Sequence, residues 1–276
     1  MATVAELASY PIKSCAGVRL TEASLEPTGL PHDRAFTVVD EQSVFRSQRR
    51  DPLLAVIHPE VSADGGGIVL RAPGAADLCI EVDVTSNRRA VELFGVPYQG
   101  IDQGSHAAAW LSSVLGKPSR LVRVPPPDHS RVTDGWVPGT SCYADSGAVH
   151  LISQASLHTL NERLAGHGEP PVPMARFRPN IVVNGWDEPH LEDQARWLGI
   201  GTAKVAYAKL AIRCAVPLVD QRTGTKAGRE PLRTLATYRR ASQGGIAFGV
   251  KLSVVSPGKL TVGDNVCVTS WGDSEF

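Results

Sequence analysis

Apolar positions along the chain gather in short runs rich in Val, Ile, Leu and Thr, punctuated by 26 glycines and 20 prolines. Runs of this length between turn formers read as strands of a β-rich barrel or sandwich. In the first third they are AFTVVD (35–40), LLAVIHPEV (53–61), GIVLRA (67–72) and CIEVDV (79–84). The segment ADGGG (63–67) predicts a hairpin connection, because glycine supplies positive φ without steric cost. Later runs are AVHLIS (148–153), NIVVNG (180–185), AKVAYAKLAIRC (203–214) and KLTVGDNVCVTS (259–270).

The 3.6-residue period appears in few places. SHAAAWLSSVLGKP (105–118) predicts a helix with Ser105 as cap, Trp110, Leu111, Val114 and Leu115 on one face, and Gly116 and Pro118 as the stop. ASLHTLNERLAG (155–166) places Leu157, Leu160 and Leu164 on one face and ends on glycine. EPLRTLATYRR (230–240) is a third helix, with Pro231 where a first turn tolerates it. The pattern therefore predicts a mostly β fold with a few helices, in the α+β class.

A length of 276 residues suits about two domains at ~150 residues each. The rigid polar segment VPPPDHSR (124–131) marks the crossing between them, giving units 1–123 and 124–276. Lys plus Arg and Asp plus Glu stand at 28 each, so no global field draws the chain to nucleic acid or an acidic membrane. Any anion site must be local. Five widely spaced cysteines, Cys15, Cys79, Cys142, Cys214 and Cys267, suit a reducing compartment, and the expected location is cytoplasmic. The N-terminal stretch carries Glu6 where a secretory signal carries positive charge, and no apolar run reaches the ~18 residues of a membrane span.

Several chemistries are excluded by spacing. RTGTKAGRE (222–230) lacks the glycine, four residues, Gly-Lys-Ser/Thr order of a phosphate loop. No G-x-G-x-x-G follows a strand, no G-x-S-x-G elbow occurs, and the histidines lack zinc spacing. No run of thiolates could hold an iron–sulfur cluster in this chain.

Three stretches do combine basic and hydroxyl residues with strand ends. YPIKSCAG (10–17) holds Lys13 and Ser14, GLPHDRAF (29–36) holds Arg34, and RFRPNIVVNG (176–185) holds Arg176, Arg178 and Asn180 around Pro179. Arginine's planar fork suits phosphate, lysine acts as a point charge, and Asn offers both donor and acceptor. Taken singly, each cation reads more simply as a solvated strand end. Cys214, in AIRCAVPLVDQRTG (211–224), likewise reads alone as a small core filler.

Taken in order, YPIKSCAG, HDRAF, YADSGAVHLISQASLHTLN, RFRPNIVVNG, Arg213-Cys214 with VDQRTG, EPLRTL and FGVKLSVVSPGKLTVGD resemble the MOSC family over nearly the whole chain. The layout is similar to that of the amidoxime-reducing members. The resemblance implies an N-terminal MOSC β-barrel domain over 1–123 and a MOSC β-barrel domain over 124–276. It also implies a molybdenum cofactor, Mo-molybdopterin, with Cys214 as metal ligand. A soft thiolate suits a soft redox metal, and Arg213 beside it favours the deprotonated sulfur.

By position, Lys13 and Arg34 match basic residues that approach the cofactor, Arg178 and Asn180 match its phosphate and pterin grip, and Ser153 with Gln154 match a polar pair. Ser153 equally reads as a helix cap. Asp145 and Asp220 orient neighbours or close turns. The implied activity is reductive oxygen removal from an N-hydroxylated or N-oxygenated small molecule, fed by a separate reductase of flavin, iron–sulfur or haem type, with no nucleic acid or membrane partner. The alternatives are a sulfur carrier using a Cys214 persulfide, a cofactor-handling module, or a redox-inactive binding domain. The chain departs from the family pattern at Ala211, Pro217, Leu218, Gln221, Val250 and Lys251, which bears on substrate and reaction type.

Overall fold

A computed structural model describes residues 1–126 and 131–276. Part of the predicted crossing segment 124–131 thus lies outside the described residues. The fold is mostly β, and the described residues contain three α-helices.

Its largest element is an eight-stranded sheet in the order Val18–Leu20, Thr3–Ser9, Ile181–Asn184, Val149–Ser153, Ala247–Ser256, Ala203–Ile212, Ala195–Ile200 and Val266–Trp271. All its pairings are antiparallel except Val149–Ser153 with Ile181–Asn184. Parallel neighbours require a crossover, and the helix Gln154–Gly166 supplies it. The sheet curls back on itself at one corner. There Val4 N–H donates to Asp264 O and Val266 N–H to Ala2 O, each at 2.9 Å.

The first third adds a four-stranded sheet, Phe36–Val39, Arg120–Arg123, Val96–Asp102 and Arg88–Leu93, and a three-stranded one, His58–Val61, Gly67–Arg71 and Leu78–Glu81. The predicted hairpin at 63–67 joins the first two strands of the latter. The strands of the chain's first 25 residues do not join these sheets. Thr3–Ser9 pairs with Ile181–Asn184, and Glu22–Leu25 pairs with Gly258–Thr261, so both ends of the sequence share one scaffold.

Some predicted elements change form. Pro52–Val56 is a 3₁₀ turn rather than the start of a strand, with Leu54, Ala55 and Val56 buried in succession instead of alternately. The helix expected at 105 runs Gly104–Leu115 from Gln103, and Ser105 does not cap it; Gly116 closes it at φ 67° as predicted. The run 259–270 divides into Gly258–Thr261 and Val266–Trp271, and the helix expected over 230–240 is a single turn, Leu232–Leu235.

Three apolar clusters hold the fold: one inside the large sheet, one under the first-third sheets around Ile12, Phe36, Leu54 and Leu121, and one beneath helix Gln154–Gly166 around Leu160, Phe177 and Phe248. Phe45 of the second and Phe177 of the third line one cavity together with several charged side chains.

Candidate functional site

The loop after the first strand turns at Pro11 and carries Lys13 and Ser14 inward, both buried. Ser14 stands at φ 69°, Arg34 at 50°, Phe94 at 55° and Arg178 at 57°, in the left-handed region that non-glycine residues seldom occupy. All four line one cavity of about 100 Å³, with Arg49, His150, Arg213, Cys214 and Lys251. Such local strain persists where surrounding structure over-determines the backbone, and it gathers at functional sites.

Asn180 fixes the wall. Its carbonyl oxygen accepts from Arg34 Nη1 and from His150 N–H at 3.1 Å each, and its amide donates to Ala8 O at 3.1 Å and Asp33 Oδ1 at 3.0 Å. That uses the full capacity of the side chain. Asp33 also accepts from Tyr10 N–H at 2.8 Å and from Arg34. Arg34 and Arg178 both stack on the Tyr10 ring, at 4.5 and 4.2 Å from its centroid.

Arg178 is buried, and one of its nitrogens donates to Cys15 O while Nη2 has no partner. Burial lowers its pKa to about 10, helped by Arg34 and opposed by Tyr10. Arg213, at the end of strand Ala203–Ile212, donates to Phe177 O at 3.0 Å and approaches His150 Nε2 at 3.4 Å, leaving a buried Nε unpaired. Burial pushes its pKa down, and the charges of Cys214 and then Asp145 act the other way. Cys214 itself is half-buried and in no disulfide.

His150 is buried, and desolvation followed by the charges of Lys251, Arg213 and Arg34 drives its pKa well below the usual imidazole value. The ring is neutral at pH 7. Asp145 supplies the counter-charge: burial raises its carboxyl, but Lys13 first, then Lys251 and Arg34, overcome this and hold it at about 2. Lys13 pairs with Asp145 and donates to Tyr143 O at 2.8 Å.

Of the residues predicted from sequence, Lys13, Arg34, Arg178, Arg213 and Cys214 line this cavity. Asn180 stands behind it and faces, with Arg176, Arg178 and Asp220, a second and wider groove of about 980 Å³. Ser153 is the helix cap, accepting from Ser156 N–H at 3.1 Å, and Gln154 opens the helix on its exposed side. Asp220 closes its loop by accepting from Arg222 and Thr223 N–H at 2.8 and 3.1 Å.

The departures at Pro217 and Gln221 carry structure. Arg176 donates to Pro217 O at 3.0 Å, and Gln221 exchanges amide hydrogen bonds with Gln48, which holds Ser14 O at 2.6 Å. Sequence reasoning missed Tyr10, Asp33, Arg49, Phe94 and His150. His150 carries the one available signal, an imidazole inside a strand whose every residue is buried.

Residues 1–118 match the profile of the MOSC N-terminal beta barrel domain and residues 138–267 that of the MOSC domain. The chain is 34% identical to mitochondrial amidoxime reducing component 2 of Rattus norvegicus, covering 96% of this chain and 82% of that protein. It is 32% identical to mitochondrial amidoxime-reducing component 1 of Homo sapiens, with the same coverage of each. Molybdenum cofactor sulfurase of Danio rerio is 32% identical over 91% of this chain, which spans only 32% of that longer protein. With both profiles in order and relatives aligned almost end to end, the chain belongs to the MOSC family, as a member with the MOSC N-terminal β-barrel domain.

Proposed function

We propose that this chain is a molybdenum-cofactor-dependent reductase that removes oxygen from N-hydroxylated or similarly N-oxygenated small molecules, with Cys214 as the metal ligand. The carrying observation is a half-buried thiol in a cavity lined by Lys13, Arg34, Arg178, Arg213 and Lys251, two of whose buried guanidinium nitrogens lack partners. A soft sulfur donor and unpaired N–H groups fit a thiolate-ligated, phosphate-bearing group. When bound, the cofactor would supply oxygen-atom acceptance and a path for two electrons; with two protons, the N–OH substrate becomes N–H and water.

The chain's own residues hold and orient. Arg178 and Arg213 offer donors to anionic oxygens, and Lys13 and Arg34 set the local positive potential. Asn180 positions Arg34 and His150 rather than reaching into the cavity. Ser153 and Gln154 act through the helix they begin, and Asp220 through the loop that meets Gln48 and Ser14. About 100 Å³ is below the usual ~300–1,000 Å³ of ligand pockets, so admitting a pterin requires the cavity, whose lining includes the exposed Phe94, to widen.

The domain division at residue 124, a cytoplasmic location and a separate electron-donating reductase belong to this proposal. No helix among the described residues is long and apolar enough to cross a membrane. In a host that makes the cofactor, the purified protein is expected to carry about one molybdenum per chain, as befits a single thiolate ligand. Cys214→Ala is expected to reduce activity to background while the fold persists. A fully metal-loaded, active Cys214→Ala protein would refute the assignment. A single added sulfur on Cys214 without metal, read by mass spectrometry, would instead support sulfur transfer, the chemistry in the name of the sulfurase relative.

A further inference from the structure

The cavity's cations differ in what they already hold. Lys13 is engaged by Tyr143 O and Asp145, and Arg34 by Asp33, Asn180 and Arg178 O. The unpaired nitrogens of Arg178 and Arg213 are buried. Lys251 is in neither state: it is half-buried, lines the same cavity as Cys214, and its ammonium makes no hydrogen bond or ion pair among the described residues.

Its place is set by the sheet. Lys251 lies in strand Ala247–Ser256 opposite His150. Gly147, at φ 123°, leaves room for its stem, since a β-carbon there would come within 3.1 Å of Lys251 Cβ. Burial, and after it the charges of Arg34 and Arg213, press its pKa down to about 7, while Asp145 and Asp33 act the other way. An ammonium among like charges and without a hydrogen-bond partner is the group of this cavity that an arriving anion would stabilise most, by restoring its charged form.

We propose that Lys251 binds an anionic substituent of the substrate, so that the site is built for N-oxygenated compounds bearing a carboxylate or comparable group. This rests on the reductase reading of the same cavity. Depth separates its two anions: the buried donors of Arg178 and Arg213 suit a resident group, and the half-buried Lys251 suits one that enters and leaves.

The test uses molybdenum-loaded full-length protein with dithionite-reduced methyl viologen, comparing para-carboxybenzamidoxime with its neutral para-carbamoyl analogue. The wild type is expected to favour the carboxylate by about tenfold in kcat/KM, the effect of one charge-assisted contact. Lys251→Met should abolish that preference with molybdenum content retained, and Lys251→Arg should keep it. Equal use of both compounds by the wild type, or an unchanged preference in Lys251→Met, overturns the proposal alone. Loss of molybdenum from Lys251→Met overturns it in favour of a cofactor anion on Lys251. A loaded wild type that reduces neither compound defeats the reductase reading, and the substrate proposal with it.

Discussion

Asn180 shows what one buried side chain contributes at the residue scale. With all its hydrogen-bonding capacity spent on Ala8, Asp33, Arg34 and His150, it ties the first strand, the Arg34 loop and strand Val149–Ser153 into one wall. Asn180→Ala would leave several buried groups unpaired and is expected to lower unfolding free energy by about 3 kcal/mol, measured by urea denaturation. The residue type at 180 was legible in the chain as a polar contact. Its direction was not, because that depends on partners about 150 positions away, which no local pattern encodes. The same holds for His150 and Arg49, ordinary in their own segments and gathered at the cavity only by the fold.

Elements behave as their local chemistry dictates until packing intervenes. Helix Gln154–Gly166 was readable because its cap, apolar stripe and terminal glycine agree. Ser153→Ala is expected to cost about 1 kcal/mol, the usual value of an N-cap. A fall in molybdenum content at unchanged stability would instead make that hydroxyl a cofactor contact. Gly249 marks a place where strand packing overrides side-chain freedom. At φ 77°, a β-carbon there would lie 2.5 Å from Ile152 Cγ1 and 2.6 Å from Leu151 O, as Ala247–Ser256 presses on Val149–Ser153. Gly249→Ala is therefore expected to destabilise by about 2–3 kcal/mol, visible as a lower urea midpoint at unchanged slope. Of the stretch 53–61, His58–Val61 is a strand, and only the part before it is not, for a related reason. Pro52 favours a tight first turn, and consecutive burial of Leu54, Ala55 and Val56 replaces the alternation of a half-buried strand.

The whole molecule couples its stability to pH through groups remote from one another. Burial depresses His150 well below 6.5, and His190 to about 3 through burial, Arg239 and Arg163. A depressed imidazole pKa means the unfolded chain binds more protons, so each contribution is present above about 6.5 and lost as pH falls. Asp193 opposes them. Its pKa is raised to about 7 by burial despite its 2.6 Å ion pair with Arg239, so acidification below 7 favours the folded state at this group. Each group contributes at most about 1.4 kcal/mol per pH unit, and two histidines outweigh one carboxyl. Unfolding free energy is thus expected to fall as the pH drops from 6 towards 4, by about 1.4 kcal/mol per unit where both imidazoles stay neutral in the folded state, read from urea titrations across that range. His190→Gln should flatten the slope, and a stability that rises with acidification would contradict the balance.

The sequence by itself determined the β-rich class, the hairpin at 63–67, the crossover helix and the ordered motifs that carry the family. These depend on local propensity, turn chemistry and residue identity, all present in the string. Tertiary structure alone decided that residues 3–9 join a sheet with 181–184, that Arg178 lines two cavities, and that Lys251, its ammonium without a partner among the described residues, lines the cavity of Cys214. Those facts depend on which distant segments meet and on which hydrogen bonds are already taken when they do.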